Sequence, residues 1–235
     1  LSGTPATQSI RAGRCDYCDT APCKCRNWTI GIDLGQVYDY SAAAVVERLQ
    51  VDTPQALSRM TVLDHHHVRY IKRWDKGSGY DTVVRETGEL MRRANLLDAM
   101  LVIDATGVGR EVAGLYRQAY RLGKLGRFWP KPYVITGARE ISEARGLVPK
   151  RELVGKMQTL LQSGRLKIAD SLPMADTLRR ELLAFKVKMT PGGQETYESA
   201  READHDDLVL AVALACWHRH TATEPRRLEP EEARA

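Results

Sequence analysis

Residues 28–35 read Trp28-Thr29-Ile30-Gly31-Ile32-Asp33-Leu34-Gly35, an apolar run that closes on a carboxylate and a glycine. β-Branched and aromatic residues bounded by a turn former predict a strand, with Asp33 in it or at its carboxyl end. Two more extended stretches follow, about Ala42–Leu49 and Arg59–Tyr70, with a polar loop containing Pro54 between them. Three strands in close succession read as an antiparallel meander.

Downstream the period changes. Tyr80–Leu97 carries apolar residues at 83, 84, 90, 91 and 97 after Gly77 and Gly79, which predicts a helix. Met100–Asp104 reads as a short buried strand, Arg110–Leu122 as a helix and Tyr133–Thr136 as another strand. Lys150–Gln162 is helical with Gly164 as its stop, Arg165–Ala169 is extended, and Pro173–Phe185 is helical. Pro191-Gly192-Gly193 marks a hairpin between Lys186–Thr190 and Glu195–Ser199, and His205–Arg219 is the last helix. The expected class is α/β: a mixed sheet of three antiparallel strands and then parallel strands, flanked by helices.

A chain of 235 residues, 43% of them hydrophobic, can bury the core of one large domain with a small module beside it. The expected division is a flexible leader at 1–27, the main domain at 28–221 and a disordered tail rich in Arg, Glu and Pro at 222–235. No apolar run reaches 18 residues, which argues against a spanning helix and a membrane partner, and no signal-peptide pattern opens the chain. The net charge of +5 is compatible with nucleic acid without requiring it. Four of the five cysteines cluster near the start, which is no disulfide framework and fits a reducing, cytoplasmic setting.

Carboxylates stand at three strategic edges. Asp33 ends the first strand, although a turn former beside Gly35 would look the same. Asp104 ends Leu101-Val102-Ile103, and the carboxyl ends of such strands are where ligands sit in open α/β sheets. Asp206 and Asp207 precede Leu208–Ala215, a helix apolar all round and therefore deeply buried. Asp204 as a cap, with the two acids drawn to the helix dipole, is the local alternative. A cap does not need three acids and a His within four positions. Consecutive helical residues point about 100° apart, so one of the pair is the expected ligand. Asp207 is preferred, with Asp206 as second ligand or orienter. Oxygen donors alone select Mg²⁺ or Mn²⁺ over Zn²⁺, and two such ions would support hydrolysis of a phosphodiester.

These residues resemble a known family, the nuclease domain of the phage terminase large subunit, which has an RNase H-like fold. The resemblance spans about residues 28–220 and rests on Gly31-Ile32-Asp33-Leu34-Gly35, Ile103–Gly109, Val148–Val154, Gly164–Ile168 and His205-Asp206-Asp207-Leu208-Val209. It implies cleavage of concatemeric viral DNA during packaging, by a two-metal mechanism, with metal-holding roles for Asp33, Asp104, Asp207 and the adjacent Asp206. His205 would lie beside the metals. Double-stranded DNA, an ATPase motor, a small subunit and a portal would be the partners, and the host-cell cytoplasm the location of a phage-encoded chain. No G-x-x-x-x-G-K-[ST] loop is present in these 235 residues, so a motor would lie upstream of Leu1 or be absent. A resolvase or transposase of the same fold shares the logic of the acidic triad. An ATPase of the actin and sugar-kinase type could also use Gly31–Gly35 as a phosphate hairpin, but would leave the His-Asp-Asp helix unexplained.

Cys15, Cys18, Cys23 and Cys25 supply enough thiolates for one structural Zn²⁺; a redox-sensitive cluster or unligated cysteines are the alternatives. With that zinc, a non-catalytic DNA-binding module is a further reading. Candidate phosphate contacts fall into three groups: Arg117, Arg121 and Lys124 on one helix face; Lys150, Arg151 and Lys156; and Lys186 and Lys188 on the hairpin. Each would look the same as an ordinary solvated face. His65-His66-His67 cannot easily share one ion, because neighbouring side chains on a strand face opposite ways. Trp74, Trp129 and Trp217 read as packing residues and Cys216 as an inert buried thiol.

Overall fold

A computed structural model describes residues 26–35, 39–52, 62–93, 95–137, 141–142, 146–189, 195–199 and 205–218. At residues 26, 50–52, 62–63, 184–189 and 195–199 the description is of the backbone. The four cysteines of the leader, Leu1–Asn27 in part and the tail 222–235 lie outside it, as do the zinc and tail expectations.

The meander is present as β1 (Arg26–Asp33), β2 (Ala42–Asp52) and β3 (Val62–Arg73), paired antiparallel in that order. Then come α1 (Tyr80–Met91), β4 (Met100–Asp104), α2 (Gly109–Arg121), β5 (Lys131–Thr136) and β6 (Leu147–Pro149). The chain continues through α3 (Lys150–Gln162), β7 (Leu166–Ile168), α4 (Ala175–Ala184), the β8–β9 hairpin (Phe185–Met189, Glu195–Ser199) and α5 (Asp207–Trp217). Seven strands form one sheet in the order β6-β5-β4-β1-β2-β3-β7, and β4 pairs parallel with β1. The first helix is shorter than its pattern suggests. It stops at Met91, because Leu96 folds back into the core through a turn in which its amide bonds Arg93 and its carbonyl accepts from Ala99.

Each face of the sheet carries its own core. Ile30, Ile32, Ala43 and Val45 pack with Val83, Met91, Val112 and Tyr116 of α1 and α2. The other face meets α3 and α5 through Ala42, Ala44, Val46, Val68, Val102, Leu153, Leu160, Leu208 and Val212. Helix α5 is apolar on every side because it is covered on every side; each fully buried Leu or Val contributes roughly 1.5–3 kcal/mol. It crosses β1 at Gly31, where a Cβ would stand 2.0 Å from the Ala211 carbonyl oxygen. That glycine is what lets the helix carrying Asp207 lie directly over the strand carrying Asp33.

One irregularity re-aims a side chain. Val45 opposes Tyr70 while Val46 opposes Val68, so Arg69 is the extra residue of a β-bulge. Before the bulge Val68 faces α5; after it, the odd-numbered Ile71 takes that face, and Arg73 with it.

Candidate metal centre

Parallel pairing of β1 with β4 sets Ile32 beside Ile103, so Asp33 and Asp104 end neighbouring strands at one edge. Such strands lie about 4.8 Å apart, close enough for two carboxyl groups to meet. They do meet: the Asp33 carboxyl comes within hydrogen-bonding reach of Asp104. Burial comes first in pushing the Asp33 carboxyl well above its usual range, followed by the charges of Asp104, Asp207, Asp206 and Asp39. Asp104 is also raised by burial, against hydrogen bonds from Thr106 and Asp33. The Thr106 amide donates to Asp104 Oδ1 at 2.8 Å, and the Ile135 amide donates to Thr106 Oγ1 at 2.8 Å, which ties this carboxylate to β5.

The third carboxylate arrives on α5. Asp206 is the residue before the helix, yet its side chain caps nothing. The first-turn amides of Leu208 and Val209 donate instead to Glu181 Oε2 of α4, at 3.1 and 3.3 Å. Neither aspartate of the pair therefore caps α5 with its side chain, and Asp204 lies outside the described residues. Lys150 Nζ lies 3.1 Å from Asp206 Oδ2. Asp207 is 2% exposed, and its Oδ2 accepts no hydrogen bond although Arg73 Nη2 stands 3.1 Å away. Its carboxyl is pushed up to about 8 by burial and then by Asp39, with Arg73 pulling the other way.

Asp39, which the sequence shows only as part of a turn, joins this group. Ligand atoms of Asp39, His205 and Asp207 all lie within 4.8 Å of one another. His205 Nδ1 is 3.2 Å from Asp39 Oδ1, and the His205 ring meets Tyr40 edge-on at 4.8 Å. The same tyrosine carries Arg73 and Lys76 against its ring, each at 4.8 Å. Asp207 thus belongs to a group with Asp39 and His205, and its charge also bears on Asp33.

The donor chemistry fits a divalent cation. Crowded carboxylates that hold protons against their usual acidity are a local deficit of positive charge. The buried Oδ2 of Asp207 accepts no hydrogen bond, with Arg73 Nη2 ion-paired to it at 3.1 Å. Mostly oxygen donors suit Mg²⁺ or Mn²⁺, and one imidazole is compatible with Mn²⁺.

Of the basic candidates, Lys150 reaches this edge. Arg151 lies beside Glu152 at 3.7 Å, and Lys156 lies near His66 and Cys216, on the far side of α5 from Asp207. Arg117 and Arg121 lie in the last part of α2 and Lys124 in the turn after it; the helix starts beside Asp104 and runs back for 13 residues, about 20 Å. Those three sit at the opposite edge of the sheet. Lys186 and Lys188 are on β8, with their side chains outside the description. His66 is buried and pushed down to about 3, first by burial and then by Lys156, while Cys216 is pushed up to about 12 by burial. Trp74 is buried and donates to Glu86, and Trp217 packs edge-on against Tyr133.

No protein-family model matches the sequence, and no curated protein matches it. Solved structures do. The fold is RNase H-like, and it is similar to that of the large terminase nuclease from thermophilic phage G20c. The cobalt-bound form of that nuclease superposes with a TM-score of 0.53 at 22% identity, over 81% of this chain and 80% of the other. Its magnesium-bound form gives 0.51 at 22% identity, over 82% of each. The large terminase of bacteriophage HK97 gives 0.53 at 13% identity, and the match spans 82% of this chain but 39% of that longer one.

Proposed function

We propose that the chain is a divalent-metal-dependent endonuclease of the large-terminase type, hydrolysing phosphodiester bonds of double-stranded DNA. The observation that carries this reading is the pairing of the Asp33 and Asp104 carboxyls at the ends of β1 and β4, with the charge of Asp207 among those that raise Asp33. Similarity of fold to nucleases solved with cobalt and with magnesium supports it.

Asp33, Asp104 and Asp207 would hold the metal, with Asp39 and His205 completing the side of Asp207 that faces away from the strands. Two bound Mg²⁺ or Mn²⁺ ions supply Lewis-acid activation of water and neutralise charge at the scissile phosphate. The chain's own part is to fix the carboxylates in place. Thr106 orients Asp104, Gly31 seats α5, and Glu181 relieves Asp206 and Asp207 of capping. Asp39 orients the His205 ring through Nδ1. Lys150, beside Asp206, and the exposed Lys76 are the cations best placed for backbone phosphates. By the same reading the partners are DNA and a terminase motor, and through them a small subunit and a portal.

The test is nicking of supercoiled plasmid with Mg²⁺ or Mn²⁺. Cutting is expected for the native chain, and none with chelator. Asp33→Asn, Asp104→Asn and Asp207→Asn should each reduce the rate by on the order of 10²–10³-fold or more, the equivalent of several kcal/mol of lost charge stabilisation. Undiminished cutting by all three variants contradicts the proposal. Salt-sensitive DNA binding without any metal-dependent cutting would point to a binding module instead.

A further inference from the structure

We propose that Glu181 is a positioning residue which holds Arg73 back from Asp207, and so keeps Asp207 open to a divalent cation. The inference rests on the metal-centre reading above and concerns two residues outside the ligand set.

The geometry begins at the bulge. With Arg69 as the extra residue of β3, Arg73 turns toward α5, where its guanidinium enters a space bounded by Glu181 and Asp207. Nη2 is shared between the two carboxylates. It bonds Glu181 Oε1, and it stands 3.1 Å from Asp207 Oδ2 without forming a hydrogen bond. Arg73 Nε is buried and has no hydrogen-bond partner, so the guanidinium keeps an uncommitted donor. Glu181, 7% exposed, is the better-placed acceptor. Both of its oxygens are in use, one by Arg73 and the other by the amides of Leu208 and Val209.

Arginine binds carboxylates most strongly through two parallel N–H groups. Remove the charge from Glu181, and Asp207 becomes the adjacent carboxylate on which Nε and Nη2 can close together. The guanidinium would then occupy the oxygen a metal needs. Glu181 therefore does more than cap α5, because the cap needs only an acceptor oxygen whereas restraint of Arg73 needs the charge. Since Glu181 belongs to α4, the helix that leads into the β8–β9 hairpin, the device also ties the placement of α4 to the metal ligand on α5.

Glutamine at 181 separates the two roles, since its carbonyl can still accept from the α5 amides. The measurement is Mn²⁺ titration of the full chain, followed by the electron paramagnetic resonance of free Mn²⁺, with thermal melts to verify folding. Glu181→Gln should weaken Mn²⁺ binding by about tenfold or more, the usual scale for loss of an outer partner of a metal ligand. Adding Arg73→Gln to that variant should restore the affinity, a rescue that a purely structural cap would not produce. Arg73→Gln alone should tighten Mn²⁺ binding several-fold, and this variant carries the test if Glu181→Gln fails to fold. Native affinity in Glu181→Gln, no rescue in the double variant, or weaker binding in Arg73→Gln would each overturn the proposal while leaving the metal centre intact. Absence of Mn²⁺ binding by the native chain, with no difference from Asp104→Asn, would instead remove the reading beneath it.

Discussion

Glu47 on β2 and Asp207 on α5 are each 2% exposed, on elements that pack within one core, but their surroundings differ in kind. The Glu47 carboxylate is closed off: Arg69, the bulged residue of β3, places Nε 2.8 Å and Nη2 2.7 Å from Oε2, and its guanidinium reaches water. Asp207 has an arginine at 3.1 Å, yet that oxygen accepts no hydrogen bond and the carboxyl is raised to about 8 by burial and then by Asp39, with Glu181 and Asp206 adding to it. Burial of a carboxylate is thus ordinary when donors complete it. Burial without completion is what sets the edge holding Asp33, Asp104 and Asp207 apart from the rest of the molecule.

The sharpest way to break this contrast is cleavage. Glu47→Gln should cut metal-dependently at close to the native rate, whereas Asp207→Asn should not cut; equal losses in both would erase the distinction. Stability should separate them with opposite signs. Arg69→Met deprives a buried charge of its main partner and should cost about 1–3 kcal/mol. Asp207→Asn removes a poorly compensated buried charge and should stabilise the metal-free chain at pH 8 by about 1–2 kcal/mol, seen as a higher Tm. A lower Tm for Asp207→Asn would mean that Arg73 already satisfies this carboxylate.

The metal-free protein should also respond to pH. The folded pKa of Asp207, about 8, lies above its ordinary value of 3.8, so between these values the native state binds more protons than the unfolded state. Stability from this group is fully present below about pH 4 and is lost as pH rises through about 8. Asp33 and Asp104, also raised, add in the same direction. Melts between pH 5 and 8.5 should show Tm falling as pH rises, with a flatter profile for Asp207→Asn and for native chain with Mn²⁺. A Tm that climbs over this range would contradict the assignment.

The parts of this site that sequence alone reveals are those encoded locally. Asp33 and Asp104 each end an apolar strand run, and parallel pairing then brings them side by side without further information. The helix Lys150–Gln162 has the same bounds in the fold as in its pattern. What sequence hides depends on tertiary register. Arg73 faces α5 because one bulge reverses the alternation that Val68 would otherwise set. Glu181 shares the buried stripe with Leu178, three residues earlier, a misplaced charge on an apolar face that hints at a partner without naming it. Asp39 sits in a turn and gains meaning only when His205 folds against it. The basic run after Arg117 looked equivalent to Lys150 on charge alone, and the direction of α2 separates them. Strand β6, three residues long, is too short to declare itself.

Asp207 Oδ2 and the paired carboxyls of Asp33 and Asp104 are proposed to form one cation site. Anomalous diffraction from crystals soaked in Mn²⁺ addresses it directly. Mn²⁺ peaks are expected within coordination distance of Asp33, Asp104 and Asp207, with Arg73 still on Glu181. Peaks absent from that edge, or a peak on Asp39 and His205 with Asp33 and Asp104 unligated, would contradict it.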